Sequence, residues 1–289
     1  MKSVIWKTLL VAGIICFALS FIREGNAKEI HKKIESKGEK SLIVEIELGG
    51  GIIDLEKNDT GNILDAEIEY DPDEVDVDID YQKVGDRGKL YLSSESEDGL
   101  DFDTEDNYWH LELTDRIPID FEIDVGACEA EFDFTGLRLN DLDLDLGASS
   151  TEIAFRKPNP VRLSKINIDV GASELTVKGL GNANFDKLSF DGGVGDFTLD
   201  FRGELKHKAY VDIDVGLGSL TILLPKDIGV RIAEEGSFLS SFSIDLDGFE
   251  EVESDVYESE NFDKSDGKLI FDIEIGLGSV EIEYIDKSL

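Results

Sequence analysis

A unit of about 22 residues recurs along this chain, and that periodicity constrains the fold more than any other feature. The segments EIELGGGIIDL (45–55), EIEYDPDEVDV (67–77), EIDVGACEAEF (122–132), DLDLGASSTEI (143–153), NIDVGASELTV (167–177), SFDGGVGDFTL (189–199), DIDVGLGSLTI (212–222) and DIEIGLGSVEI (272–282) align without gaps. Their fifth positions are Gly49, Asp71, Gly126, Gly147, Gly171, Gly193, Gly216 and Gly276. Apolar and polar residues alternate within each copy, as at Ile168 and Val170 and then Leu175 and Val177, so the elements are strands. Glycine at the fifth position permits positive φ and a tight corner without a Cβ clash. Each copy therefore reads as strand, corner, strand, followed by a polar return such as RKPNP (156–160) or RGELKHK (202–208). One copy cannot bury its apolar face alone, whereas copies stacked in register share one interior. The expected fold is an all-β, mostly parallel β-solenoid, right-handed because strand crossovers prefer that hand. It forms a single domain over 28–289, with an irregular first section (41–113), then regular coils (114–289) interrupted by an excursion at 232–268.

The third position of every copy is acidic: Glu47, Glu69, Asp124, Asp145, Asp169, Asp191, Asp214 and Glu274. Stacking at the β spacing of about 4.8 Å turns these into a column of like charges, an arrangement that is destabilising in a sheet. A second partial column runs through Glu45, Glu67, Glu122, Asp143, Asp212 and Asp272. Such crowding raises carboxylate pKa values or recruits cations, which makes Asp124, Asp145, Asp169, Asp191 and Asp214 candidate Ca²⁺ ligands. The plainer reading is a solvated face that blocks lateral sheet pairing, since Ca²⁺ takes about 6 to 8 convergent oxygens and a flat column offers few. Arg156, Lys157, Arg162, Lys165, Lys178, Lys187, Arg202, Lys206, His207 and Lys208 fall in the returns and predict a basic edge beside the acidic face. Opposed charges of this kind permit self-association or partner docking.

With 65 acidic against 28 basic residues and a formal charge of -37, the chain lacks the cations that nucleic acid or an anionic lipid surface requires. The N-terminus reads as a cleavable export signal over 1–27: Lys2 and Lys7, an apolar run from Thr8 to Ile22, then small residues at Gly25-Asn26-Ala27. The run is short of the roughly 20 residues that span a bilayer, so membrane attachment is expected at most through this leader, by a retained anchor or by lipidation at Cys16. Beyond it, Cys128 is the only thiol, so stability comes from burial and backbone pairing. Cys128 stands where Ser149 and Ser173 stand in other copies and reads as a small turn residue.

Residues 41–131 and 262–284 resemble the bacterial toast-rack proteins, which include the extracytoplasmic part of LiaF-like envelope-stress regulators and related adhesin-like β-solenoids. The resemblance rests on SLIVEIELGGGIIDLEK (41–57), NYWHLELTDRIPIDFEIDVGACEAEFDFTGLRL (107–139) and GKLIFDIEIGLGSVEIEY (267–284). It implies an envelope-associated β-solenoid and supplies no catalytic residues. LiaF-like proteins carry several transmembrane helices ahead of this domain, where this chain has a single leader.

Few motifs point to chemistry. DGGVGDFTL (191–199) approaches the calcium-binding nonapeptide G-G-x-G-x-D-x-U-x, but its aspartate stands one place early and the copies recur near 22 residues rather than 9. His31, His110 and His207 are the three histidines, and none sits in a metal-ligand spacing. No G-x-S-x-G elbow or Cys-His arrangement occurs. In NYWHLEL the alternation places Trp109, Leu111 and Leu113 on a core face, with Tyr108 and His110 opposite; an aromatic sugar-stacking site is the alternative. Phe238, Leu239 and Phe242 form either an exposed patch for a partner or an end plug. The leading expectation is an exported, non-enzymatic envelope or cell-surface scaffold, adhesin-like, with an envelope protein or glycan as partner. A Ca²⁺-dependent adhesive or assembly module and a polysaccharide-active β-helix enzyme are the alternatives; the latter requires two carboxylates about 5 to 10 Å apart in a cleft.

Overall fold

A computed structural model describes residues 27–96, 107–236, 240–244 and 248–286. The leader, Phe238 and Leu239 lie outside the described residues. The alternating segments form sixteen strands: β1 (Lys28–Ile34), β2 (Ser41–Lys57), β3 (Leu64–Tyr70), β4 (Val75–Val84), β5 (Arg87–Ser96), β6 (Asn107–Leu113), β7 (Ile119–Asp133), β8 (Leu139–Ala154), β9 (Leu163–Lys178), β10 (Phe185–Asp200), β11 (Lys208–Pro225), β12 (Gly229–Gly236), β13 (Ser240–Ile244), β14 (Phe249–Glu253), β15 (Val256–Ser259) and β16 (Lys268–Ile285). All belong to one hydrogen-bonded sheet. Among the described residues no helix is long and apolar enough to cross a membrane.

The solenoid is the parallel run β2-β7-β8-β9-β10-β11-β16, and its register places the sequence copies directly over one another. Each of these long strands bends at its glycine. Before the bend, the inward residues of β9 are Ile166, Ile168 and Val170; after it they are Leu175 and Val177, so the buried set changes parity at the corner. That shift lets both halves of the bent strand face one interior. The return forms the third side, contributing Phe134, Phe155, Leu180, Ala183 and Phe201 to the same core. Rings meet between coils: Phe134 and Phe155 stack with centroids 5.6 Å apart, and Phe201 meets Phe271 edge-on at 5.1 Å.

Buried asparagines close the hydrogen-bond accounts of the returns, where strand pairing is absent. Asn159 donates to the Leu139 carbonyl at 2.7 Å and accepts from its N–H at 3.1 Å. Asn182 donates to the Phe155 carbonyl at 2.9 Å and accepts from the Glu204 N–H at 3.1 Å.

The corner glycines are required for a reason other than the one expected. Gly49, Gly126, Gly147, Gly171, Gly193, Gly216 and Gly276 do not have positive φ. Instead, a Cβ at Gly126, Gly171, Gly216 or Gly276 would lie 2.5–2.8 Å from the carbonyl oxygen of the corner glycine one coil earlier, and one at Gly147 or Gly193 would lie closer still. The column is a ladder of backbones in contact, and only glycine leaves room for it. Gly49 heads the ladder, and a Cβ there meets nothing nearer than the Ser94 carbonyl at 3.8 Å. Positive φ occurs two residues later, at Gly51, Gly218 and Gly278.

One proposed copy is corrected. EIEYDPDEVDV (67–77) is not a coil: β3 runs antiparallel between β1 and β6, Asp71 opens a turn, and β4 forms a hairpin with β5. Glu67 and Glu69 therefore leave the acidic columns. The coil beneath β2 is built from two pieces, β5 against residues 41–48 and β6 against residues 52–57. The far end has the same construction. β12 and β13 pair with the two halves of β16, so the closing copy sits between β11 and a coil that precedes it in the chain. β15 and β14 then cover β12 in antiparallel fashion.

Candidate functional site

The outward face of the first half-strands carries the acids read from the sequence. Glu47, Asp124, Asp145, Asp169, Asp191, Asp214 and Glu274 are cross-strand neighbours in unbroken succession, and all are exposed. The structure thus brings together all five candidate Ca²⁺ ligands, one carboxylate per rung. Partial burial, with Asp145 and Glu47 as like-charged neighbours, raises the Asp124 carboxyl above the ordinary range. Partial burial also raises Asp169, reinforced by Asp191, Asp145 and Asp143 and opposed by Lys165. The column's first rung is relieved differently: Tyr91 donates a 2.8 Å hydrogen bond to Glu47, while Lys89 lies 2.8 Å from Glu45 in the second column.

Beside this column runs an apolar ridge that reading for charge passed over. The residue after each corner glycine is Ala127, Ala148, Ala172, Val194, Leu217 and Leu277 in successive coils, each paired with the next. Val194, Leu217 and Leu277 are 50%, 43% and 42% exposed, whereas the core-facing apolar side chains of the same strands, such as Phe190, Val215 and Ile275, are buried. The signal was present in the aligned copies, where GAS gives way to GVG and then GLG.

The expected basic edge is largely neutralised within the chain. Arg156 pairs with Asp133, Arg162 with Asp186, Lys178 with Glu152 at 2.6 Å, Arg202 with Asp200 at 2.6 Å and Lys206 with Glu204 at 2.9 Å. Lys178 joins β9 to β8, and the others tie a return to a strand end or to its own loop, so these cations hold the edge together. His207 Nε2 lies 2.8 Å from the Phe185 carbonyl oxygen.

The nonapeptide resemblance in DGGVGDFTL has a packing origin. A Cβ at Gly192 would lie 2.8 Å from the Phe197 ring, which meets Phe190 edge-on at 5.2 Å. Glycine there makes room for two phenylalanines where the other coils carry Leu48, Val125, Leu146, Val170, Val215 and Ile275. Trp109, Leu111 and Leu113 are fully buried, and the Trp109 indole donates to Asn107 Oδ1 at 2.7 Å. Tyr108 and His110 face outward, the Tyr108 hydroxyl donating to Asp54 at 2.7 Å. Cys128 is buried, and burial pushes its thiol up to about 11.

Hollows on the described surface are open and rich in carboxylates; one includes Asp54, Glu129, Glu131, Ser150, Glu152 and Glu174 beside Ile52 and Ala130. The regular coils, their glycine corners and the third-position acids agree with a family model described as the N-terminal domain of toast_rack, DUF2154, which matches residues 23–178 and 158–223. The chain belongs to the toast-rack family. The match ends inside β11, so the closing copy (272–282) lies beyond it. No curated protein matches this toast-rack chain. Solved structures similar to it include a candidate cell adhesion protein from Clostridium sporogenes, at 20% identity over 90% of this chain and 100% of that one, with a TM-score of 0.48. A candidate adhesin from Bacteroides fragilis follows at 13% identity, 89% and 97% coverage and a TM-score of 0.38. A candidate lipid binding protein from Parabacteroides distasonis has 9% identity, 91% and 98% coverage and a TM-score of 0.32.

Proposed function

We propose that this toast-rack chain is an exported, non-enzymatic surface scaffold of adhesin-like character that engages an envelope protein or glycan along its length. The observation that carries the reading is the exposed ridge of Val194, Leu217 and Leu277 beside an unbroken acidic column. Exposed aliphatic side chains in register on a rigid sheet offer contact area that needs no reorganisation, and the flanking carboxylates set which charge a partner carries. The filled interior and open hollows support a role for faces over pockets. Export follows from the leader read in the sequence. The test joins fractionation and surface labelling of cells expressing the whole chain with glycan-array and envelope-fraction binding by the leaderless protein. The reading expects surface exposure and binding that Leu217→Asp with Leu277→Asp abolishes while the melting temperature holds. Binding indifferent to that pair, or none at all, overturns it.

A second reading, a Ca²⁺-dependent assembly module, draws on the raised Asp124 and Asp169 carboxyls. It requires calorimetric heat with Ca²⁺ and a melting temperature that chelator lowers; without both it falls.

A further inference from the structure

We propose that Glu56, His110 and Glu112 form a binding site for a divalent transition-metal ion of the zinc class. Glu56 and Glu112 are cross-strand partners on β2 and β6, and His110 stands two residues before Glu112 on the same outward face. A His110 ring nitrogen and one oxygen from each carboxylate all lie within 4.8 Å of one another, with His110 Nε2 3.9 Å from Glu56 Oε1. Zinc bonds of about 2.0–2.2 Å hold tetrahedral ligand atoms about 3.3 Å apart, so small side-chain rotations close the three onto one ion and leave a fourth position for water.

Three further features separate this trio from the acids around it. Several carboxylates on neighbouring strands have a cationic partner: Asp65 has Lys33, Asp133 has Arg156 and Glu152 has Lys178. No lysine or arginine among the described residues forms an ion pair with Glu56 or Glu112, which meet an imidazole instead. A hollow of about 180 Å³ opens beside Glu56 and His110, lined also by Asp54, Leu55, Glu131 and Asp133, so further carboxylates stand on that side of the imidazole. β6 is also paired on both sides, to β2 and to β3, which fixes the positions from which His110 and Glu112 project. Glu29, His31 and Glu67 repeat the composition one strand pair away, but β1 pairs only with β3 and their side chains are 57%, 61% and 52% exposed. Ordering that trio around an ion costs more side-chain entropy.

An imidazole with two carboxylates suits zinc and its neighbours, whereas Ca²⁺ takes oxygen ligands only. The donor set therefore distinguishes this site from the acidic column, and it stands apart from the adhesive reading. The experiment is calorimetric titration of the leaderless protein with Zn²⁺ and, separately, Ca²⁺. One Zn²⁺ per chain is expected, bound at least about tenfold more tightly than Ca²⁺. His110→Asn and Glu112→Gln are each expected to weaken Zn²⁺ about tenfold or more, with His31→Asn and Asp169→Asn within twofold of the parent. Because His110 and Glu112 face outward, their variants keep the parent melting temperature, which separates lost ligation from lost fold. Equal affinity for the two ions, Zn²⁺ binding untouched by both site variants, or loss of the tight site in His31→Asn or Asp169→Asn overturns the proposal.

Discussion

The Tyr81 hydroxyl donates a 2.6 Å hydrogen bond to Glu39, joining the outer hairpin strand β4 to the turn that leads into β2. Burial alone would raise this carboxyl, yet hydrogen bonds from Tyr81, its own backbone, the Ser36 hydroxyl and the Lys37 N–H hold it down at about 2. A depressed carboxyl contributes stability that is complete above its unfolded value of 4.5 and is lost as pH falls through about 2. Acid titration of the melting temperature is expected to show this loss. Tyr81→Phe lowers stability at neutral pH by about 1.5–3 kcal/mol and moves the acid loss to higher pH.

The glycine ladder predicts unequal outcomes for one substitution at two equivalent positions. Gly171→Ala forces a methyl to 2.5 Å from the Gly147 carbonyl oxygen and is expected to destabilise by about 1–3 kcal/mol or more in urea. Gly49→Ala meets only ordinary contacts at 3.8 Å and is expected to change stability by less than about 0.5 kcal/mol.

Asp169→Asn removes a charge flanked by Asp145 and Asp191 and is expected to stabilise by a few tenths of a kcal/mol, since solvent screens so exposed a group. The raised Asp124 and Asp169 carboxyls act oppositely to Glu39. Their favourable contribution is complete below the unfolded value of 3.8 and is lost as pH rises through the higher folded values. Added salt is therefore expected to raise the melting temperature of the parent more than that of the variant.

The Cys128 thiol, buried and pushed up to about 11, is expected to resist maleimide and disulfide reagents at pH 8 in the native protein. Reaction in proportion to the unfolded fraction, followed by mass spectrometry, is the measurement that checks it.

The middle coils were readable from sequence because one alternating pattern recurs there with its glycine at a constant place. Ile168, Val170, Leu175 and Val177 are buried as that pattern requires. Alternation fixes which side chains face inward and is silent on strand direction, so EIEYDPDEVDV looked like another coil while its strands pair antiparallel elsewhere. The corner glycines were found by position, but their necessity comes from the neighbouring coil, which no local pattern records. The trio of Glu56, His110 and Glu112 was invisible for a related reason: Glu56 and Glu112 are 56 residues apart in the chain, and only the pairing of β2 with β6 sets them side by side.

β16 lies between β11 and β12, although β12 precedes it in the chain. During synthesis the edge of β11 therefore stays unsatisfied until β16 emerges, and until then β12 has nothing to rest on. The final strand works as a keystone. A chain ending near residue 267 would offer β11 to any passing strand, and the natural substitute is β16 of another molecule, which would replace a pairing within one chain by an exchanged one.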